Sequence, residues 1–251
     1  MELIEHSRAG FAFLRGISAY SSGVVARSGH EIVRAVLIRP QPLARGFSEI
    51  AEHLSSHGVQ KTALCGIELR SPRTFSTEEF RAFNAVYVTF LKEWGIPDGG
   101  LNPVARTNVM PLLFPPAEPS IYAFSYVVRS EGAYRTFVAA GAGELPEGSA
   151  SSNDIVRAGD TTPDAMAEKA RCVLGHMESR LTGLGVGWAD VTAIDVYTGQ
   201  DFGGELIRRL LQPAGQNTVA WHFANPPITG LEFEMDVRGV RRELVIGSSL
   251  P

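Results

Sequence analysis

The chain has 251 residues, 44% of them hydrophobic and 20% charged, which suits a soluble globular protein of two compact domains rather than a disordered one. Its formal net charge of -4, with the cations scattered along the chain, argues against nucleic acid as a partner. The opening "MELIEHSRAG" lacks the apolar core of a signal peptide and no run reaches the roughly 18 apolar residues of a membrane helix, so a cytoplasmic location away from membranes is expected.

In chain order, "FAFLRGISAY" and "EIVRAVLIRP" read as strands bounded by Gly, Ser or Pro. A helix follows over "LARGFSEIAEHLSSHG", with Phe47, Ile50, Ala51 and Leu54 at helical spacing and Gly58 as the stop. "KTALCGIEL" alternates as a strand. "STEEFRAFNAVYVTFLKEWG" then starts a helix with Ser76 and Glu79 three residues apart, the spacing of a capping box. "PVARTNVMP" and "SIYAFSYVVRS" are two closing strands. The pattern then recurs. "YRTFVAAGAGEL" is a strand, and "GDTTPD" with Pro163 opens a helix through Ala167, Cys172, Met177 and Leu181. "VTAIDVYT", a shorter helix "GGELIRRLLQ", "NTVAWHFAN" and "GLEFEMDVRGVRREL" complete it.

The recurrence has one register, an offset of 127 residues. It sets Leu54 on Leu181, Gly58 on Gly185, Val59 on Val186, Ile67 on Ile194, Phe75 on Phe202, Glu78 on Glu205 and, in the early strand, Gly16 on Gly143. Two tandem copies are expected, residues 1–128 and 129–251, each an α+β domain whose mixed sheet carries two helices on one face. The other face of such a sheet needs cover, so a homo-oligomer is expected.

Three stretches of the second copy resemble the RidA/YjgF family of enamine and imine deaminases, which has a chorismate-mutase-like fold. They are "FVAAGAGELPEG", the long segment from "GDTTPDAMAEKARCVLGH" to "VTAIDVYTGQDF", and "PPITGLEFEMDV". In the more diverged first copy, "LNPVARTNVMP" is similar to the family's arginine segment. The resemblance implies that Arg106 holds a substrate carboxylate at a cleft between domains, and that Glu232, at the closing-strand glutamate, positions water and shuttles protons. A guanidinium fork suits that task, since it binds a carboxylate with two hydrogen bonds and stays charged. Neither copy keeps both groups: the arginine position of the second copy falls near Asn217 and the glutamate position of the first near Tyr122. Arg106 and Glu232 would therefore combine across a domain interface, with Thr107, Asn108, Tyr122 and His222 as further substrate contacts.

The activity so implied is a hydrolase: deamination of an enamine or imine of a small carboxylic acid, such as 2-aminomuconate or 2-aminoacrylate, without metal or cofactor. A chorismatase-like reaction on a dicarboxylate enol ether and a non-catalytic ligand-binding module are the alternatives. The family commonly forms trimers, so a trimer is the favoured oligomer.

Other residues have plainer readings. His53 and His57 stand four apart, but no HExxH glutamate accompanies them. "GLGVG" follows a helix and precedes a strand, the reverse of a dinucleotide loop, and reads as a turn. Glu68 and Asp195, equivalent in the two copies, read as solvated strand positions. Tyr122, Phe124 and Tyr126 alternate and are expected to share a face. The two cysteines, Cys65 and Cys172, lie far apart and belong to no CxxC pair.

Overall fold

Strands with one face apolar and the other mixed build two sheets, each of which covers one face with helices and the other with its partner sheet. The computed structural model describes residues 1–97, 100–132, 134–149, 151–201, 212 and 219–247. The chain begins with β1 (Leu3–His6), β2 (Phe11–Leu14), β3 (Gly23–Ala26) and β4 (His30–Pro42), then α1 (Leu43–Ser56), β5 (Leu64–Arg70) and α2 (Thr77–Glu93). β6 (Ala105–Pro111), β7 (Ser120–Arg129), β8 (Phe137–Gly143), α3 (Pro163–Leu184) and β9 (Ala193–Tyr197) follow. β10 (Val219–His222), β11 (Ala224–Asn225), β12 (Glu234–Gly239) and β13 (Arg242–Ile246) close it.

The first sheet runs β11-β6-β5-β7-β4-β13 and the second β1-β2-β3-β8-β12-β9-β10. Four strands in each follow one plan. β7 is antiparallel to β4 and β5, and β5 is parallel to β6; β12 is antiparallel to β8 and β9, and β9 is parallel to β10. Two helix ends 127 residues apart share one local geometry. Val59 N–H donates to Leu54 O at 2.8 Å behind α1, and Val186 N–H to Leu181 O at 3.0 Å behind α3. Gly58 (φ 66°) and Gly185 (φ 69°) supply the left-handed residue each of these helix ends needs. Short 3-10 turns at Lys61–Ala63 and Trp188–Asp190 then lead into β5 and β9.

The register does not extend to Gly16 and Gly143. β4 occupies the place that β8 has in its sheet, and Gly16 lies in the connection between β2 and β3. Each end of the chain instead pairs with the sheet of the other half. β3 pairs with β8, so residues 3–26 extend the C-terminal half's sheet, while β13 lies parallel to β4 in the N-terminal half's sheet. Strands thus cross the expected boundary at 128/129 in both directions.

α1 and α2 cover the first sheet, with Phe47, Ile50, Leu54, Phe83, Tyr87 and Leu91 buried against Ile67, Leu69 and Phe124. The capping box at Ser76 and Glu79 starts α2, and the Thr162 side chain caps α3 ahead of Pro163. α3 covers the second sheet through Met166, Val173, Met177 and Leu181. Phe202, Glu205 and Asn217, and all of "GGELIRRLLQ" except Gln212, lie outside the described residues. Among the described residues no helix is long and apolar enough to cross a membrane.

Between the sheets lie Phe11, Phe13, Val24, Cys65, Ala105 and Ala140, and beside them a charged lattice. Arg34 donates to Glu68 at 2.6 and 2.8 Å, Arg238 pairs with Asp195 and, at 2.7 Å, with Glu243, and Tyr197 donates to Asp236 at 3.0 Å. Glu68 and Asp195 are therefore not solvated strand residues. They are inward-facing carboxylates that interior burial permits because each is paired with a guanidinium. Nor do the three alternating aromatics share a face. β7 pairs Ala123 with Glu68 and Ile121 with Leu69, which leaves Tyr122 as a bulge residue. Phe124 and Tyr126 stack at 5.8 Å toward His53 of α1, whereas Tyr122 lies beneath the Arg70 guanidinium at 4.0 Å.

Candidate active site

β6 is central to the site because its residues alternate between two environments. Arg106 and Asn108 face α2, while Thr107 faces the second sheet, where its hydroxyl bonds Asp236 and its methyl lies near Gly141. Arg106 is 3% exposed, and its guanidinium is enclosed by rings: Tyr20, from the β2–β3 connection, at 4.2 Å, Tyr87 at 5.0 Å, Phe80 at 5.3 Å and Phe83 at 5.7 Å. Aromatic faces favour a cation and make its burial tolerable. Burial lowers the Arg106 pKa, opposed by Tyr20, Tyr87 and Glu234, but an arginine stays charged throughout the working pH range. Among the described residues its Nη1 has no hydrogen-bond partner.

Arg106 opens into a cavity of about 960 Å³ between the two halves. The first half contributes α2, Tyr20 and Asn108; the second contributes Gly141 to Gly143, His176, Arg180 and Glu234. Glu234, the first residue of β12, is buried. Burial pushes its carboxyl up to about 8, with Asp236 adding to the shift and Arg180 and Arg106 opposing it. It is thus a protonated acid at neutral pH, set within electrostatic reach of an arginine.

The glycine at 141 makes room for it, since a Cβ there would strike Glu234 Oε1. Arg180 braces the same backbone, donating to Ala140 O at 2.6 Å and Gly141 O at 3.2 Å, with its Nε on Glu147 at 2.8 Å. Glu144 accepts from the N–H groups of Glu232 at 2.6 Å and Phe233 at 3.1 Å, and from Lys169 at 3.1 Å. These bonds fix the chain just before Glu234.

Among the described residues five buried side-chain atoms lack a partner: Asn84 Oδ1, Tyr87 OH, Arg106 Nη1, Asn108 Nδ2 and Asn225 Oδ1. Asn84, Arg106 and Asn108 line the cavity and Tyr87 packs on Arg106. Buried polar atoms are otherwise paired almost without exception. A group of orphans around one cavity marks a place prepared for a polar ligand.

Two expected residues, Arg106 and Asn108, meet in this cavity, and the others do not. Glu232 lies outside it, ahead of β12, and accepts from Gln200 at 3.1 Å. Glu234, two positions on, is the carboxyl that enters, because the strand begins only there. Tyr122 is turned away by its bulge. His222 is bound to Asp195 at 2.7 Å and stacked on Tyr197 at 4.8 Å. His53 and His57 are also occupied, by Tyr126 OH at 3.0 Å and His53 O at 2.8 Å. Sequence reasoning missed Tyr20, Asn84, Tyr87, Gly141, Arg180 and Glu234. Asn84 and Tyr87 stand three apart in "FRAFNAVY", a signal that one helix face holds polar atoms inward.

The family model described as 2-aminomuconate deaminase CnbZ matches residues 3–244 of the chain. The chain belongs to the 2-aminomuconate deaminase family. It is 42% identical, over 98% of its length and 99% of the relative's, to the 2-amino-5-chloromuconate deaminase of Comamonas testosteroni. The protein is accordingly a deaminase, an enzyme acting on a C–N bond. In fold it is similar to a chorismatase crystal structure, with TM-score 0.52 and 12% identity over 96% of this chain and 80% of that one. At that identity the likeness is one of fold, and the chorismatase-like alternative draws no support from it. The Escherichia coli YjgF structure matches 43% of this chain and 81% of its own, with 14% identity and TM-score 0.31.

Proposed function

We propose that this deaminase hydrolyses 2-aminomuconate, or a substituted form of it, at one site shared by its two halves. One juxtaposition carries the reading: a buried guanidinium with an orphaned Nη1 among the described residues, Arg106, and a protonated buried carboxyl, Glu234, border the same cavity. Arg106 takes a substrate carboxylate as a two-point hydrogen-bonded pair and orients the enamine. The acid form of Glu234 gives its proton to the enamine carbon, which yields an iminium ion. Its carboxylate then takes a proton from water as the oxygen attacks the iminium carbon. The regenerated acid protonates the amino group, the C–N bond breaks, and the proton released as the carbonyl forms returns to Glu234. The sum is one water consumed and one ammonia released, with Glu234 unchanged. Proton transfers and water suffice, so the reading needs no cofactor.

The test is ammonia release from 2-aminomuconate generated in place from its semialdehyde by an aldehyde dehydrogenase. One ammonia per substrate at a rate far above the uncatalysed one is expected of the native protein. A rate equal to the enzyme-free control would refute the reading.

The reading includes two copies of one fold that have exchanged outer strands, supported by the shared order of four strands, and a cytoplasmic homo-oligomer, a trimer foremost. Supporting the oligomer is an exposed apolar group, Leu113, Phe114, Trp221 and Phe223, gathered where Leu112 N–H donates to Phe223 O. Sedimentation equilibrium that found a monomer would remove that part alone.

A further inference from the structure

The cavity is larger than one carboxylate and an amino group require, and two of its cations, Arg81 and Lys92, form no ion pair among the described residues. We propose that Arg81 binds the second carboxylate of the substrate, so that the site selects dicarboxylates over monocarboxylates of equal chain length. This rests on the reading of Arg106 as the anchor of the first carboxylate.

α2 forms one wall, exposing Arg81, Asn84, Ala85, Val88 and Lys92 along successive turns to the cavity. Four cations besides Arg106 reach the lining: Arg15, Arg81, Lys92 and Arg180. Arg15 is held by Glu2 at 2.5 Å and Arg180 by Glu147 at 2.8 Å. Arg81 forms no ion pair among the described residues. The lining carboxyls do not compete for it, since Glu147 is engaged with Arg180 and Glu234 is protonated.

Position separates Arg81 from Lys92. The Arg106 guanidinium lies over Phe80, Phe83 and Tyr87 of the same helix, so its level on α2 is that of residues 80 to 87. Arg81 falls within that span. Lys92 lies five residues beyond Tyr87, about 7.5 Å farther along the axis. The two carboxyl carbons of a six-carbon diacid are roughly 6 Å apart, given five carbon–carbon bonds near 1.5 Å in a zigzag. A long, flexible arginine beside the anchor suits that length. A three-carbon enamine acid would leave Arg81 unused.

The experiment measures calorimetric binding of two stable probes, hexa-2,4-dienedioate and hexa-2,4-dienoate, which share a carbon chain and differ by one carboxylate. The native protein is expected to bind the diacid at least about tenfold more tightly, the gain of a charge-assisted pair in a partly enclosed site. Arg81→Gln is expected to weaken the diacid alone and close the gap to within about threefold, and Arg81→Lys to keep part of it. Arg106→Met weakens both probes. A native protein without the gap, or an Arg81→Gln variant that keeps it or loses both probes equally, overturns the proposal. Because binding is read without turnover, a protein that kept the gap yet released no ammonia would contradict the deaminase chemistry and leave the Arg81 assignment standing.

Discussion

Replacing Gly141 by alanine should separate catalysis from stability. A Cβ at this position would lie well under 3.0 Å from Glu234 Oε1, and ordinary contact begins at 3.4 Å, so the carboxyl must withdraw. The needed retreat is about 1 Å, and a displacement of that size in a reacting group costs on the order of 10²-fold in rate. The fold is affected much less. The clashing atom is the far end of a flexible side chain, and the next neighbour, Thr107 Cγ2, would stand at 3.0 Å. The backbone of Gly141 is not left-handed, so alanine adds no φ strain. About 1 kcal/mol of overpacking, or a Tm lowered by roughly 2–4 °C, is the expected structural cost. Steady-state ammonia release should give a kcat down about 10²-fold with KM changed less than about threefold, because Arg106 is untouched. A Gly141→Ala enzyme with kcat within threefold of native would refute the placement of Glu234 as the proton carrier.

Arg106→Met should raise KM by about 10²-fold through loss of the carboxylate anchor while leaving Tm unchanged or higher, since it removes a buried charge; a Tm lowered by many degrees would contradict this. Lys169→Met leaves the wholly buried Glu144 without its cation and should cost roughly 3–5 kcal/mol by urea unfolding, most of it restored in the Lys169→Met, Glu144→Gln double variant. With Glu234 titrating at about 8, kcat should fall as pH rises through 8. The same raised carboxyl binds its proton more tightly when folded than unfolded, so its contribution to stability is complete below about pH 4.5 and is lost as pH rises through 8. Glu234→Gln should therefore flatten the fall in Tm between pH 6 and 9, and an unchanged fall would count against the assignment.

Much of the architecture could be read from the sequence because it is encoded locally. The helix ends at Gly58 and Gly185 repeat the same left-handed turn at a spacing of 127, and Ser76 with Glu79 marks the start of α2 unaided. The pairing of each chain end with the other half's sheet could not be read. Nothing in "FAFLRGISAY" says whether its apolar faces meet β4 or β8, and that choice is made by packing at long range. At the site, Arg106 and Asn108 stood out because "LNPVARTNVMP" is similar to the RidA/YjgF family's arginine segment. Glu232, Glu234 and Asp236 share one parity, so alternation alone leaves open which of them enters the cavity; the answer depends on β12 beginning at Glu234 and on Glu144 holding the two preceding N–H groups. Tyr122 was misread because a bulge breaks alternation without a glycine to announce it. His222 was misread because its partner, Asp195, is 27 residues away in sequence and adjacent only through the β9–β10 pairing.

The central claim is that one arginine from the first half and one carboxyl from the second make a single site, and that the carboxyl is Glu234. Ammonia release from 2-aminomuconate by Glu234→Gln and Glu232→Gln, compared side by side with the native protein, tests it most directly. The account predicts that Glu234→Gln loses at least about 10²-fold in kcat while Glu232→Gln stays within a few-fold of native. An active Glu234→Gln enzyme beside an inactive, folded Glu232→Gln enzyme would contradict it.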